Sequence, residues 1–219
     1  MKIYIPTLGR VDNQMTYDNM PDWVQQNTSF VIQPKEESAF RKNWPASNIL
    51  VLPENDCGIT NTRKWIVEYA GDTKYMMIDD DIVFWKRNVN RDTGKKNAEK
   101  SKSPFTAKDW VSLLEWAESK LDSGYTLAGN RAITLPPKTK DDIEFSRIMQ
   151  VFFIDGSKLY RNKLQWILES SEDIHFTIQV LQMGGKVVTS DKFLYACEDY
   201  HSDGGCKLSG RTSESTLSD

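Results

Sequence analysis

Short apolar runs alternate with helix-periodic segments along most of this chain. Lys2 to Ile5 reads as a first strand, Ser29 to Gln33 as a second and Asn48 to Leu52 as a third. Buried strands show as brief apolar runs, whereas a helix spaces its apolar residues three or four apart. Lys35 to Lys42, between strands two and three, is helical or loop-like. Trp65, Ile66 and Tyr69 mark a helix from about Thr60 to Ala70, which Gly71-Asp72 closes. Tyr75 to Ile78 suits another buried strand. A second apolar group, Ile82 to Trp85, follows directly across Asp79-Asp80-Asp81.

Beyond it the pattern loosens and then resumes. Asn88 to Pro104 is polar, lysine-rich and without period, which predicts a mobile loop. Phe105 to Asp109 opens a helix whose buried face is Trp110, Leu113, Leu114, Ala117 and Leu121, and Gly124 stops it. Tyr125 to Ile133 and Met149 to Ile154 read as strands, with a short helix across Leu159 to Leu164. A serine cap at Ser170-Ser171 precedes Glu172-Asp173 and an amphipathic helix that ends at Gly184-Gly185. Lys186 to Val188 is a late strand, and Leu208 to Asp219 a frayed tail. This alternation predicts a three-layer α/β sandwich with several parallel strands.

The chain has 219 residues, 39% of them hydrophobic, which suits a single domain with a sizeable core. No apolar run approaches the roughly 20 residues that span a bilayer. The N-terminal apolar stretch is too short for a signal peptide. A cytoplasmic protein without a membrane partner is the expectation. Cys57, Cys197 and Cys206 form neither a CxxC zinc pattern nor a disulfide framework. The net charge of −3 hides an asymmetry. Lys86, Arg87, Arg91, Lys95, Lys96, Lys100 and Lys102 face only Asp92 and Glu99, a local charge of +5, so the rest carries −8.

The acidic triplet changes the picture most. Three adjacent anions repel one another, and a buried carboxylate is costly unless compensated. A hard divalent cation, Mg²⁺ or Mn²⁺, relieves this and leaves room for substrate phosphates. The plain alternative is an acidic surface turn, but such turns carry Gly, Pro, Asn or Ser rather than apolar walls. Ligands of open α/β sheets bind at the carboxyl ends of strands, where this triplet would lie. Pro6-Thr7-Leu8-Gly9-Arg10 closes the first strand with a tight turn and a fixed positive fork. Asn61 and Arg63 occupy the first turn of a helix, a place that favours anions. Against this, Arg63 could simply pair with Glu54 or Glu68. Glu172 and Asp173 could serve only the helix dipole.

In order and residue type these features resemble a GT-A glycosyltransferase. The resemblance rests on Pro6-Thr7-Leu8-Gly9-Arg10, Gly58-Ile59-Thr60-Asn61-Thr62-Arg63, Ile78-Asp79-Asp80-Asp81, Glu172-Asp173 and the C-terminal His201. The short chain and its closing Asp203-Gly204-Gly205-Cys206 are most similar to the phage TET-associated glycosyltransferases, a family linked to sugar transfer onto hydroxymethylated pyrimidines in DNA. The resemblance implies a GT-A-like (Rossmann-like) three-layer sandwich with a mixed, mostly parallel central sheet. Its donor half would span about 1–85 and its acceptor half about 86–207. It further implies an Asp-x-Asp motif, with Asp79 nearer the ribose, Asp81 on the metal and Asp80 in either role. His201 would complete the metal shell, unless it is a surface imidazole of a polar tail. Pro6, Thr7, Arg10, Asn61 and Arg63 would contact a nucleotide sugar, expected to be UDP-linked. Glu172-Asp173 would face the acceptor, with Asp173 as general base of an inverting reaction.

Those residue types suit glycosyl transfer, whose oxocarbenium-like transition state needs a neutralised leaving group and a base for the acceptor hydroxyl. The basic stretch beside the acidic turn suits a polyanionic acceptor, with Lys86, Arg87, Lys95, Lys96 and Lys100 on phosphates. A modified base would be flipped out, with Trp85 or Phe84 to stack on it, or both rings are core. A glycan or small-molecule acceptor, and a non-catalytic nucleic-acid-binding module, are the rival readings. A nucleotidyltransferase lacks support, because the first loop is not glycine-rich with a following lysine.

Overall fold

The computed structural model describes residues 1–88, 102–169 and 171–197. In chain order the elements are β1 (Lys2–Pro6), α1 (Met15–Asp18), α2 (Asp22–Gln25), β2 (Thr28–Ile32), α3 (Glu37–Asn43), β3 (Asn48–Val51), α4 (Gly58–Ala70), β4 (Lys74–Ile78), β5 (Ile82–Arg87), β6 (Lys102–Pro104), α5 (Ala107–Asp122), β7 (Leu127–Ala132), β8 (Asp142–Glu144), β9 (Val151–Asp155), α6 (Glu172–Gln182) and β10 (Val187–Cys197).

The strands form one sheet in the order β3-β2-β1-β4-β9-β7-β10-β5-β6, with β8 also paired to β10. β1, β2, β3 and β4 run parallel. β9 is antiparallel to both β4 and β7, so β7 points the same way as the first four, and β10 is parallel to β7. Only β9, β5 and β8 run against the common direction. The sheet is therefore mixed and mostly parallel.

Side chains alternate across each strand, and this sorts the core into two layers. Ile3, Ile5, Phe30, Met76 and Ile78 pack with Tyr17, Val24, Phe40, Trp110 and Leu113, from α1, α2, α3 and α5. Tyr4, Val31, Tyr75, Met77 and Phe152 pack with Ile66 and Val67 of α4 and with Phe176 and Val180 of α6. Helices thus cover both faces. Each large apolar side chain so buried contributes on the order of 2 kcal/mol. α5 starts where Thr106 accepts from the Asp109 N–H and Asp109 returns the bond to the Thr106 backbone, a capping box.

Several expectations need correction. The segment after β2 resolves into a 3-10 turn at Pro34–Glu36 followed by α3. The helix expected over Leu159 to Leu164 is absent, and 3-10 turns at Gly156–Lys158 and Arg161–Lys163 stand there. Ser171 sits at the N-cap of α6 with φ 56, but its side chain makes no capping hydrogen bond. Lys102–Pro104, assigned to the mobile loop, forms β6 on β5. β8 was not anticipated in its polar surroundings. The late strand runs far beyond Val188, to Cys197, with a register shift between Ser190 and Leu194. Its polar Thr189-Ser190-Asp191 reads as loop by pattern, yet all three are buried. Asp191 is matched by Arg87 and Arg131, 3.4 and 3.3 Å away. A charge inside a sheet is tolerable when paired, and nothing local to β10 announces those partners.

Candidate active site

β4 ends at Ile78 and β5 begins at Ile82, so Asp79, Asp80 and Asp81 form the turn between them. α1 grips this turn by its backbone. The Thr16 hydroxyl donates to the Asp79 carbonyl at 2.6 Å and accepts the Ile82 N–H at 2.7 Å, and the Thr16 N–H donates to the Asp80 carbonyl at 3.0 Å. From the other side, the Asp79 N–H donates to the Gln150 carbonyl at 3.1 Å. The three carboxylates then divide between two arginines, Asp79 with Arg63 and Asp80 and Asp81 with Arg10.

Asp80 is buried against the loop that follows β1. The Thr7 hydroxyl donates to it at 2.5 Å, Arg10 pairs with it, and Gln14 donates to Thr7 at 2.9 Å. Gly9, at φ 71, makes the turn that brings Arg10 back, and its N–H donates to Glu36 at 2.6 Å. Burial raises the Asp80 carboxyl above its usual range, with Arg10 and Thr7 opposing. Pro6 ends β1 just before Thr7.

Asp79 faces α4 and α6. Arg63 Nη2 donates to it at 2.6 Å, while Nη1 lies 3.0 Å from Glu172. Arg63 is only 3% exposed, with its guanidinium 5.6 Å over the Phe152 ring. Burial opposes its charge, but Asp79, Glu172 and Asp173 together hold it above its usual pKa. Burial also raises Asp79, with Arg63 opposing and Asp81 adding to the rise. The fold thus brings Glu172-Asp173 to the acidic turn, as the start of α6. Burial raises Asp173 as well, Arg63 opposing and Glu172 reinforcing. The Ile174 N–H donates to its Oδ1 at 2.7 Å. A desolvated carboxylate with a raised pKa is a stronger base once ionised.

Asp81 shares Arg10 at 3.1 Å through one oxygen. Its other oxygen, Oδ1, is buried without a hydrogen-bond partner. A buried carboxylate oxygen still to be satisfied is the donor type that Mg²⁺ and Mn²⁺ prefer. Among the described residues no set of three or more His, Cys, Asp or Glu side chains converges as a metal site. His201 lies outside the described residues, as do Lys95, Lys96 and Lys100.

The remaining expected residues are more scattered. Asn61 is exposed, and its amide donates to the Cys57 carbonyl at 2.9 Å within the first turn of α4. Phe84 is core, 5.3 Å from Phe105 and 4.8 Å from Trp110 between centroids. Trp85 is half-buried between β6 and β10, with its indole N–H buried and unpartnered. Lys86 pairs with Asp109 at 2.8 Å. Arg87 is 6% exposed and donates to the Asp191 and Leu135 carbonyls, so it offers no charge to a surface. Sequence reasoning passed over Thr16 and Gln14, which hold the turn, and Tyr195, whose phenol is raised by burial and then by the charges of Asp173 and Asp79. Thr16 and Gln14 lie in a polar stretch with no apolar period to draw attention to them.

Residues 1–205 match the family model of the TET-Associated Glycosyltransferase, and the chain belongs to that family. It is 24% identical over 126 residues to the beta-glucosyl-HMC-alpha-glucosyl-transferase of Enterobacteria phage T6, and 23% identical to its phage T2 counterpart. Each match covers 57% of this chain and 44% of the relative, so the aligned stretch spans less than half of those proteins. Among solved structures, S. aureus TarS 1-349 in complex with UDP superposes with a TM-score of 0.54 at 12% identity, covering 89% of this chain and 59% of that one. CMP:2-keto-3-deoxy-manno-octonic acid synthetase complexed with CTP gives 0.50 at 12% identity, covering 86% and 88%. These likenesses are of fold, and the fold is GT-A-like.

Proposed function

We propose that this member of the TET-associated glycosyltransferase family moves a sugar from a nucleotide sugar, UDP-linked, to the hydroxyl of a hydroxymethylated pyrimidine in DNA, with inversion. The observation that supports it most is that Arg63 joins Asp79 to Glu172, 93 positions apart, with Asp173 next to Glu172 in the first turn of α6. It sets a donor-side carboxylate beside a desolvated base. The names of the phage relatives, which specify a glucosyl-HMC acceptor, favour the modified pyrimidine.

In this reading the loop from Pro6 through Thr7 to Arg10 and the first turn of α4, with Asn61, receive the nucleotide. Arg63 acts as a positioning residue that holds Asp79 and Glu172. Asp173 takes the proton of the acceptor hydroxyl as that oxygen bonds to the anomeric carbon. The bond from that carbon to the nucleotide diphosphate breaks, and the diphosphate keeps the electron pair. One base and no enzymic nucleophile gives inversion. The unsatisfied Asp81 oxygen fits a divalent cation, Mn²⁺ or Mg²⁺, which Asp81, Asp79 and His201 would hold. When bound, it would neutralise charge on the departing diphosphate. Lys95, Lys96 and Lys100 add sequence-independent attraction to DNA phosphates.

A nucleotide-release assay tests this. The protein is incubated with a panel of nucleotide sugars, with Mn²⁺ or EDTA, and with hydroxymethylcytosine DNA or plain DNA. Metal-dependent release that rises with modified DNA only, and vanishes in Asp81→Ala, is the expected result. Release indifferent to DNA moves the acceptor to a glycan or small molecule, and no release under any condition sinks the reading. The relatives' names also favour a second acceptor, a sugar already on the base. Mass analysis of product nucleosides separates them, because that version leaves unglucosylated DNA unmodified.

A further inference from the structure

An open cavity of about 630 Å³ is joined to the acidic turn through Gln150. β7, β10 and the two loops flanking β8 enclose it. Its volume falls within the roughly 300–1,000 Å³ of pockets that hold small-molecule-sized ligands. Gln150 forms its inner end, and it is the Gln150 carbonyl that accepts the Asp79 N–H. Tyr195 lines it too, near enough to Asp173 and Asp79 to feel both charges. Gln150 and Tyr195 thus tie the cavity to the carboxylates of the acidic turn and of α6.

Its walls and rim differ in kind. Ile133, Met149 and Tyr195 supply apolar and aromatic wall. At the rim, Phe145 is 77% exposed with φ 55, a conformation that bulky side chains rarely adopt. Lys138 and Arg147 are exposed there; the Lys138 backbone N–H donates to Asp191 at 2.8 Å, but neither side chain forms an ion pair among the described residues. Glu144, which accepts the Tyr125 hydroxyl at 2.5 Å, keeps its charge, so the two rim cations face one carboxylate and the rim is positive by one. Beneath it, Arg131 is anchored on Asp191 and on the Pro136 carbonyl at 3.1 Å, which stiffens the floor.

We infer that this cavity receives the acceptor as a single pyrimidine nucleotide everted from the DNA duplex, with Phe145 stacking at the vacated or everted base and Lys138 and Arg147 on the flanking phosphates. Enzymes that modify a base take it out of the stack and hold it between aromatic and apolar side chains with polar contacts to its edge. Gln150 offers an amide that can both donate and accept toward such an edge. A cationic rim with an exposed aromatic suits a nucleic-acid strand. A neutral glycan would gain nothing from the charge. The inference rests on the DNA-acceptor reading and relocates the contact from the β5–β6 face, where Lys86 and Arg87 are already committed to Asp109 and Asp191.

The test uses the full chain and a duplex carrying one hydroxymethylcytosine beside 2-aminopurine, whose fluorescence rises when its neighbour unstacks. Binding, fluorescence and sugar transfer are measured for wild type, Phe145→Ala, Arg147→Gln and Lys138→Gln. We expect Phe145→Ala to weaken DNA use by about five- to a hundredfold, the range seen when one stacking partner is lost, and to suppress the fluorescence rise. Arg147→Gln should lower the slope of log affinity against log salt by about 1. Three variants that behave like wild type, while Trp85→Ala or Lys86→Gln loses DNA, would return the acceptor to the β5–β6 face and overturn the inference alone. Wild-type protein that hydrolyses donor but glycosylates no DNA overturns the DNA reading and this inference with it. All three residues are exposed, and a melting curve for each variant confirms that it is folded.

Discussion

The two sides of the acidic turn handle charge in opposite ways. On the proposed donor side Arg10 and Arg63 are internally matched. Arg10 spans Asp80 and Asp81, and Arg63 spans Asp79 and Glu172. On the proposed acceptor side the deep pair Arg87 and Arg131 shares Asp191, but the side chains of the rim residues Lys138 and Arg147 form no ion pair among the described residues. Buried charge must be compensated within the protein, because desolvation outweighs what an unpaired ion can recover. Rim charge stays hydrated and can wait for a partner. The first kind builds the scaffold, and the second is the kind that the proposed DNA strand would use.

Changing the chemistry at the junction should have the largest effect. Asp173→Asn removes the proposed base, and transfer should fall by about a hundred- to ten-thousandfold with the KM for the nucleotide sugar little changed. Steady-state kinetics would show it, and retained activity would remove Asp173 from the role. Next comes the matched interior. Asp191→Ala strands Arg87 and Arg131, and should cost about 3–5 kcal/mol of stability by denaturant unfolding. On the donor side, Thr7→Val leaves one Asp80 oxygen without its hydrogen bond and should cost about 1–3 kcal/mol, with a raised donor KM.

The pH dependence sharpens the junction further. A base with a raised pKa holds its proton to higher pH. Transfer should therefore decline on acidification while still above the ordinary carboxylate range near pH 4. An acid limb at the ordinary value would mean that Asp173 is solvated in the working enzyme. The smallest effect on the fold belongs to the rim. Lys138→Gln should change stability by no more than about 0.5 kcal/mol while flattening the salt dependence of DNA binding. A large loss of stability there would erase the contrast between the two sides.

Legibility followed the same division. The parallel strands β1, β2, β3 and β4 and the helices α4 and α5 were readable because each presents a clean apolar period to a core layer. The acidic triplet was readable because three adjacent carboxylates between apolar walls need an explanation. Arg63 was expected to contact a nucleotide sugar, and its place in the first turn of α4 could not show that carboxylates after β4 and at the start of α6 would enclose it. Arg87 looked like one more surface cation of a basic stretch. Only the partner on β10, 104 positions away, turns it inward. The cavity's residues carry no motif at all, since they come from β7, from β8 and the segments on either side of it, and from the end of β10.

By itself the amino-acid sequence determined the layers, most of the strands that point one way, the turn that carries the acidic triplet and the start of α6 at Glu172-Asp173. These follow from local periodicity and from the cost of adjacent charges, which act over a few residues. Tertiary structure alone decided which carboxylate each arginine satisfies, that β10 continues through Thr189-Ser190-Asp191, and that an open, cationic-rimmed cavity adjoins Asp79. Those outcomes depend on desolvation and pairing between segments far apart in the chain, and no window of sequence contains both partners.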